Sequence, residues 1–210
     1  MGSEVLSTQA LIDSAARGSD HARQSLLNHH RRRLCQMVAL RIDPRLAPRL
    51  DPSDVVQEAL ADAAGKLDVY FRDRPLPFYP WLHRLALERL AQAYRRHVKA
   101  QSRAVGREQA GGLGLPNGSA FRLVDRLVAS GTSPSQRMLL SEQRQQMREA
   151  LGVLAPNDRE VLVMFYLEGL AFAEIAAILG VSEGAAKVRH FRALKRIRKL
   201  LAEGDGSTVR

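Results

Sequence analysis

The segment from Ser182 to Lys199 has the types and spacing of residues that bind a polyanion. Glu183 is its only acidic residue. Solvated helix faces usually mix both signs of charge, so a single sign over so long a segment favours an anionic partner. On a helix, such groups can donate hydrogen bonds to phosphates and to base edges in the major groove of duplex DNA. The basic residues include Lys187, Arg189, His190, Arg192, Lys195, Arg196 and Lys199.

The residues before this segment follow the pattern of a helix-turn-helix motif. We predict a first helix over Phe172–Leu179, a tight turn with positive φ at Gly180, and an N-cap at Ser182. The final helix is then expected to run to about Ala202. Apolar residues at spacings of three and four predict its core-facing side: Val188, Phe191, Leu194, Ile197 and Leu201.

A second segment, residues 70–103, combines aromatic and basic side chains. Rings that stack on unpaired bases, beside cations that follow phosphates, suit single-stranded DNA. For Trp81 and Phe78, a place in the hydrophobic core is an equally good interpretation. At Arg95 and Arg96, a phosphate contact is favoured. The residues of this segment are Tyr70, Phe71, Arg72, Arg74, Phe78, Tyr79, Trp81, Arg84, Arg89, Tyr94, Arg95, Arg96, His97, Lys99 and Arg103.

A third feature is the acidic start of a predicted helix at residue 51. Asp51 is a suitable N-cap, and a proline follows it at the first helical position. Asp54, Gln57 and Glu58 then share one helix face. Two interpretations stay open, namely stabilisation of the helix dipole and a polar docking face for a basic partner.

Helical spacing dominates the rest of the chain, so we predict an all-α fold. Glycine and proline between residues 101 and 135 predict a linker between two small helical domains, residues 1–100 and 136–203. Further helices are expected after a cap at Asp20, near Trp81, and over Arg159–Leu167 with a cap at Asn157 or Asp158.

Several function classes are excluded by what the sequence lacks. The one cysteine, Cys35, permits neither an intramolecular disulfide nor a four-cysteine zinc site, and we expect it in the core. No P-loop, GxSxG elbow, HExxH or paired cysteine is present, so we expect neither an enzyme nor a cofactor or metal. The start of the chain does not resemble a signal peptide, and no segment is apolar enough to span a membrane. A cytoplasmic protein is expected, and its net charge of +10 favours an anionic partner.

Six runs of residues, in this order, resemble the sigma-70 family, in particular its extracytoplasmic-function group. Residues 51–58 (DPSDVVQE), 77–82 (PFYPWL) and 94–96 (YRR) are similar to regions 2.2, 2.3 and 2.4 of those sigma factors. Residues 154–161 (LAPNDREV), 174–182 and 187–194 resemble region 4 and its helix-turn-helix. Ala171 and Ala186 depart from the family, which often has Ser or Thr at the first position and Thr at the second.

The resemblance implies a factor that binds core RNA polymerase and directs promoter recognition, DNA melting and initiation. Residues 1–100 would be region 2 and 136–203 region 4, with its helix-turn-helix at about 170–199. The implied contacts with the β′ clamp helices come from Asp51, Asp54, Val55, Gln57 and Glu58. Those with the −10 element come from Arg72, Asp73, Arg74, Phe78, Tyr79, Trp81, Arg84, Arg95 and Arg96. Those with the −35 element come from Ser182, Glu183, Gly184, Lys187, Val188, Arg189, His190, Arg192, Lys195 and Arg196.

Other partners and another function are also considered. Region 4 would touch the β-flap tip of the polymerase, and an anti-sigma factor is a family expectation. The alternative is a helix-turn-helix regulator without sigma activity, because the second half of the chain alone would look the same. That alternative does not explain the aromatic and basic residues between 70 and 103.

Overall fold

The computed structural model of the chain describes residues 2–42, 47–102, 123, 146, 147 and 149–205. Within these ranges all regular secondary structure is helical, which confirms the all-α prediction. The chain divides into two compact units, Met1–Gln109 and Ala110–Arg210, and each is described by itself. Almost all of the predicted linker, residues 101–135, lies outside the described residues.

The described residues of the first unit form four helices, α1 (Gly2–Ala16), α2 (Asp20–Arg41), α3 (Pro52–Asp73) and α4 (Phe78–Ser102). Helix α2 packs against the other three, and α3 packs against α4. Their apolar stripes meet in one core, because residues three and four apart share a helix face. The largest fully buried side chains of this core are Leu26, Leu34, Met37, Leu67, Leu82 and Leu90.

Two capping predictions in this unit have opposite outcomes. Asp51 caps α3 as predicted: its Oδ1 accepts a hydrogen bond from the Ser53 N–H at 2.7 Å. The prediction for Asp20 is wrong, since Ser19 caps α2 through its Oγ, which accepts from the Ala22 N–H at 3.3 Å. Adjacent Ser and Asp are both good N-caps, so composition did not distinguish them.

The turn between α3 and α4 is shorter than the prolines suggested. Helix α3 continues to Asp73 and ends at Arg74, whose φ of 38° is the only positive φ of a non-glycine residue in the described ranges. Helix α4 begins at Phe78, three residues before the predicted start near Trp81. Proline is tolerated in the first turn of a helix, where its missing N–H has no intrahelical partner.

The second unit contains α5 (Pro156–Tyr166), α6 (Phe172–Leu179) and α7 (Glu183–Asp205), and residues 149–153 are also helical. The predicted cap of α5 is wrong: the N-cap is Ala155, and Pro156 occupies the first helical position. Neither Asn157 nor Asp158 caps it, because both lie inside its first turn. The Arg159 guanidinium instead donates to the carbonyls of three preceding residues, Leu151, Gly152 and Leu154.

The core of the second unit includes one residue from the predicted linker. Leu123 is fully buried and helical, and it belongs to a cluster with side chains of the helices around it. A fully buried leucine contributes about 2 kcal/mol of transfer free energy. Leu123 therefore contributes to the folded core of this unit. The other buried members of the cluster are Ala150, Leu151, Leu154, Leu162, Val163, Ala193 and Ile197.

Candidate nucleic-acid interface

The helix-turn-helix has the predicted geometry at its turn. Gly180 ends α6 in the left-handed conformation with φ of 65°, and the Val181 N–H donates to the Ala176 carbonyl at 3.0 Å. Ser182 caps α7, since its Oγ accepts from the Ala185 N–H at 3.1 Å. The left-handed turn at Gly180 and the cap at Ser182 set the direction of α7 relative to α6, because each satisfies backbone groups that the helix ends leave unpaired.

The alanine at the start of α6 is partly compensated. Ala171 has no side-chain oxygen to cap the helix. The Glu174 carboxylate accepts from the Ala171 N–H at 3.0 Å, which is one half of a capping box. The helix forms although it lacks the Ser or Thr that the family often has at this position.

The buried face of α7 is not the predicted one. Ala186, Ala193 and Ile197 form it, whereas Val188 is 62% exposed and Phe191 is 67% exposed. The prediction that Val188 and Phe191 face the core is therefore wrong, while Ile197 was assigned correctly. The predicted stripe and the observed one both have helical spacing. The small side chains of Ala186 and Ala193 allow α7 to pack closely on α5 and α6. The exposed position of Val188 agrees with its assignment to the interface.

The basic residues of α7 fall into two groups. The exposed group lies on the side turned away from the core, as an interface with duplex DNA requires. Its members are Lys187, Arg192, Lys195, Arg196, Arg198 and Lys199. Arg189 and His190 are half-buried. Ser182, Glu183 and Gly184, at the start of the helix, are exposed.

His190 is packed among aromatic rings. Its ring centroid lies 4.8 Å from that of Phe165, 5.6 Å from that of Tyr166 and 5.4 Å from that of Phe172. Burial lowers the pKa of the imidazole below its usual value, because desolvation disfavours the charged form. The His190 ring joins α7 to α5 and α6, and its assignment to the −35 contact stays a prediction.

Lys187 and Arg192, both exposed on α7, have carboxylate partners. Lys187 Nζ lies 2.6 Å from Glu183 Oε1, one turn earlier, and 6.0 Å from the centre of the Phe172 ring. Arg192 makes a longer-range pair with Asp158 of α5, in which Nε donates to Oδ2 at 3.1 Å and Nη2 to Oδ1 at 2.6 Å. The pairing raises the pKa of Arg192, since two charge-assisted hydrogen bonds favour the cation.

In the first unit, the aromatic residues assigned to single-stranded DNA are largely core residues. Phe78 and Tyr79 are 4% and 5% exposed, and the Arg33 guanidinium lies 3.8 Å from the centre of the Tyr79 ring. Trp81 is half-buried and stacks on Tyr70 with a centroid distance of 4.5 Å. The rings of Phe78 and Tyr79 are covered by protein, which favours the core interpretation, and their assignment to the −10 contact stays a prediction.

The basic residues assigned to the same contact are at the surface. Arg72, Arg84, Arg95 and Arg96 are exposed. Arg72 donates to Asp73 at 2.8 Å, so these two assigned residues partly neutralise each other. Arg74 is also exposed, at the left-handed end of α3. The surface that remains for nucleic acid in this unit is thus cationic more than aromatic.

The residues assigned to polymerase docking divide in the same way. Asp51, Asp54 and Gln57 are exposed near the start of α3. Val55 is 3% exposed and lies in the core, and its assignment to the polymerase contact stays a prediction. Glu58 accepts from Arg96 at 3.0 Å, within an α3–α4 network that also joins Arg89 to Glu58 and Asp62.

Two residues that organise the second unit were missed at the sequence level. Asp158 and Arg159 were noted only as the start of a helix, yet one binds Arg192 and the other binds three carbonyl groups. Asp158 and Arg192 are 34 positions apart. The opposite charges of Asp158 and Arg192 are the one sequence signal that could have suggested their contact.

Both halves of the chain are similar to known proteins. A family model described as Sigma-70, region 4 matches residues 144–197. The ECF RNA polymerase sigma factor SigD of Mycobacterium tuberculosis (strain ATCC 25618 / H37Rv) is 29% identical over 197 residues, covering 93% of this chain and 85% of SigD. The ECF RNA polymerase sigma-E factor of Escherichia coli (strain K12) is 28% identical over 198 residues, covering 93% and 94%. The structure of CnrH in complex with the cytosolic domain of CnrY has a TM-score of 0.52 and 26% identity, covering 92% of this chain and 96% of CnrH.

The residues of the second unit that match sigma-70 region 4 include the whole turn of the helix-turn-helix and most of α7. The relatives extend the match over nearly the whole chain, including the four helices of the first unit. Over nearly its whole length the chain is similar to RNA polymerase sigma factors of the extracytoplasmic-function group, and this similarity supports a sigma factor. Within the described ranges, no helix combines the length and apolar character that crossing a bilayer requires.

Proposed function

We propose that α7 recognises the −35 element of promoters as duplex DNA. The observation that carries this proposal is the helix-turn-helix turn at Gly180, followed by a helix whose exposed charged residues from Lys187 to Lys199 are all basic. The turn and the Ser182 cap leave the N-terminal half of α7 exposed, as a recognition helix must be to enter the major groove.

The outward side of α7 combines two kinds of contact. Lys187, Lys195 and Arg196 are placed for phosphates, and such contacts provide affinity with little dependence on sequence. Val188 is an exposed apolar residue on the same side and suits contact with a thymine methyl group. His190 is left out of this interface because its ring is packed between helices.

The first unit is proposed to bind the non-template strand at the −10 element. Arg84, Arg95 and Arg96 offer exposed guanidinium groups along α4 that can follow a phosphate backbone. Trp81 is the one assigned aromatic residue that is only half-buried, so it is the candidate for stacking on an unpaired base. Phe78 and Tyr79 would support this surface from the core.

Docking on core polymerase is proposed for the start of α3. Asp54 and Gln57 are exposed on one face of that helix, and a basic partner surface would complement the carboxylate. Region 4 would contact the β-flap tip as well. Glu58 already has arginine partners within the unit, so its part would be to hold α4 against α3.

A further protein partner is proposed by analogy. CnrH was solved in complex with the cytosolic domain of CnrY, which supports an anti-sigma factor for this chain. Because promoter DNA and polymerase are cytoplasmic, the proposal places the protein there. The chain would contribute no catalytic step itself, since RNA synthesis belongs to the polymerase.

Transcription from genomic fragments of the native host tests this function. Core polymerase alone should give no discrete 5′ ends, whereas core with the full chain should give starts that share two upstream elements. Replacing Lys195 with Glu should reduce these starts by tenfold or more, because it reverses a charge at the −35 interface. Duplex binding without any discrete starts would instead identify a helix-turn-helix regulator that has no sigma activity.

A further inference from the structure

The ion pair between Arg192 and Asp158 joins the outward side of α7 to a nearly buried carboxylate. The Asp158 side chain is 11% exposed, whereas that of Arg192 is 62% exposed. Asp158 lies in the first turn of α5, so its position is fixed by the backbone of that helix. An exposed arginine is therefore held by two hydrogen bonds to a carboxylate whose backbone is part of a helix.

The geometry of the pair leaves a defined part of the guanidinium available. Asp158 accepts from Nε and Nη2, which together form the side edge of the group. The end edge, formed by Nη1 and the second N–H of Nη2, keeps two parallel donors. Two parallel donors match the O6 and N7 acceptors that guanine presents in the major groove.

Lys187, which also has a carboxylate partner, differs from Arg192 in the exposure and the location of that partner and in the shape of its own charged group. Glu183 is 50% exposed and lies on α7 itself, one turn from Lys187. An ammonium group is a point charge with rotatable donors and has no fixed edge to present. The pairing of Lys187 therefore leaves its direction undefined, whereas the pairing of Arg192 defines both position and plane.

We infer that Asp158 is a positioning residue for base recognition: it holds Arg192 so that the end edge of the guanidinium contacts a guanine in the major groove. The inference rests on the proposed recognition of duplex DNA by α7. An arginine already held in its binding conformation loses less side-chain freedom when DNA binds, so its contact discriminates between bases more strongly. Asp158 itself need not touch the DNA.

The test uses holoenzyme assembled from core polymerase and the full chain, with a library of duplex promoters randomised over the −35 region as the probe. Bound DNA is sequenced to obtain the base preference at each position. Asp158→Asn should reduce the preference for guanine at one position by about tenfold and leave the other positions unchanged. The slope of affinity against salt should also stay the same, because Arg192 keeps its charge.

Three further variants make the result specific. Arg192→Lys keeps the charge and the partner of Asp158 but loses the fork, so it should lose preference at the same position. The double variant should lose no more than either single variant. Asp68→Asn is the matched control, because it makes the same change in an exposed ion pair with Arg23 of the first unit. It should leave every preference intact.

The possible failures are distinguishable from one another. If the wild-type holoenzyme selects no −35 sequence, the proposed function fails and the inference fails with it. If the wild type selects a sequence and both Asp158→Asn and Arg192→Lys retain it, the positioning role alone is wrong. An equal loss at all positions in both variants would reduce Asp158 to a structural residue. If Asp158→Asn proves too unstable to assay, the guanine preference of Arg192→Lys serves as the test, and an unchanged preference would contradict the inference.

Discussion

The two units place apolar side chains in opposite ways at their candidate DNA surfaces. In the first unit, Phe78 and Tyr79, which have the composition of a base-stacking surface, are buried in the core. In the second unit, Val188 and Phe191, which have the spacing of a core stripe, are exposed. Residue type and periodicity therefore do not by themselves decide whether an apolar residue serves the fold or a partner.

The difference follows from how each helix is surrounded. Helix α4 contacts both α2 and α3, so its first turn is enclosed from two sides. Helix α7 packs on α5 and α6 along one side, where Ala186 and Ala193 permit close approach. A helix covered on one side leaves more than half of its circumference for other contacts. The recognition surface is the part of α7 that the core does not need.

The largest expected effect compares one phenylalanine from each unit. Phe78→Ala should lower the free energy of unfolding of the first unit by about 3–5 kcal/mol, because it removes a buried ring and leaves a cavity. Phe191→Ala should change the stability of the second unit by less than about 0.5 kcal/mol, because the ring is exposed. Chemical denaturation followed by circular dichroism measures both, and similar losses in the two variants would contradict the comparison.

The next effect compares a buried histidine of the first unit, His30, with a half-buried one of the second unit, His190. Burial, with smaller contributions from His29 and Arg33, lowers the pKa of His30 to about 4, and burial also lowers that of His190. The folded first unit thus binds fewer protons than the unfolded chain, whose histidine titrates near 6.5. The stabilising contribution of His30 is complete above about pH 6.5 and is lost as the pH falls through 4. The total loss is on the order of 3 kcal/mol, at about 1.4 kcal/mol per pKa unit.

Denaturation curves between pH 7 and pH 4 measure this loss. His30→Leu should remove that part of the pH dependence. His29→Leu, a change at an exposed neighbour on the same helix, should retain it. The pH dependence attributed to His30 would be refuted if the two variants behaved alike.

The smallest effect compares a present cap with a missing one. Asp51→Ala should destabilise the first unit by about 1 kcal/mol, because the Ser53 N–H loses its acceptor. Ala171→Ser should stabilise the second unit by up to about 1 kcal/mol, since it completes the capping box with Glu174. Thermal melting of each variant measures both changes in stability. A melting temperature lowered by Ala171→Ser would show that the N-cap position of α6 cannot accommodate the serine hydroxyl.

Local signals in the sequence predicted the parts of the fold that depend on local chemistry. The cap at Asp51, the positive φ at Gly180 and the cap at Ser182 were each predicted and are confirmed. The caps of α2 and α5 were predicted wrongly: Ser19 and Asp20 are both able to cap α2, and the N-cap of α5 is Ala155, which has no side-chain oxygen. For these two helices, the residue that becomes the N-cap depends on the backbone conformation of the residues just before the helix.

The sequence by itself determined that this is an all-α protein with a helix-turn-helix and the ordered motifs of a sigma factor. These properties depend on neighbouring residues and on helical spacing, which the linear order contains. Only the tertiary structure decided which side of α7 is outward, that Phe78 and Tyr79 are covered, and that Asp158 binds Arg192 across 34 positions. Each of these depends on which helices pack together, and packing selects among several apolar stripes that have the same spacing.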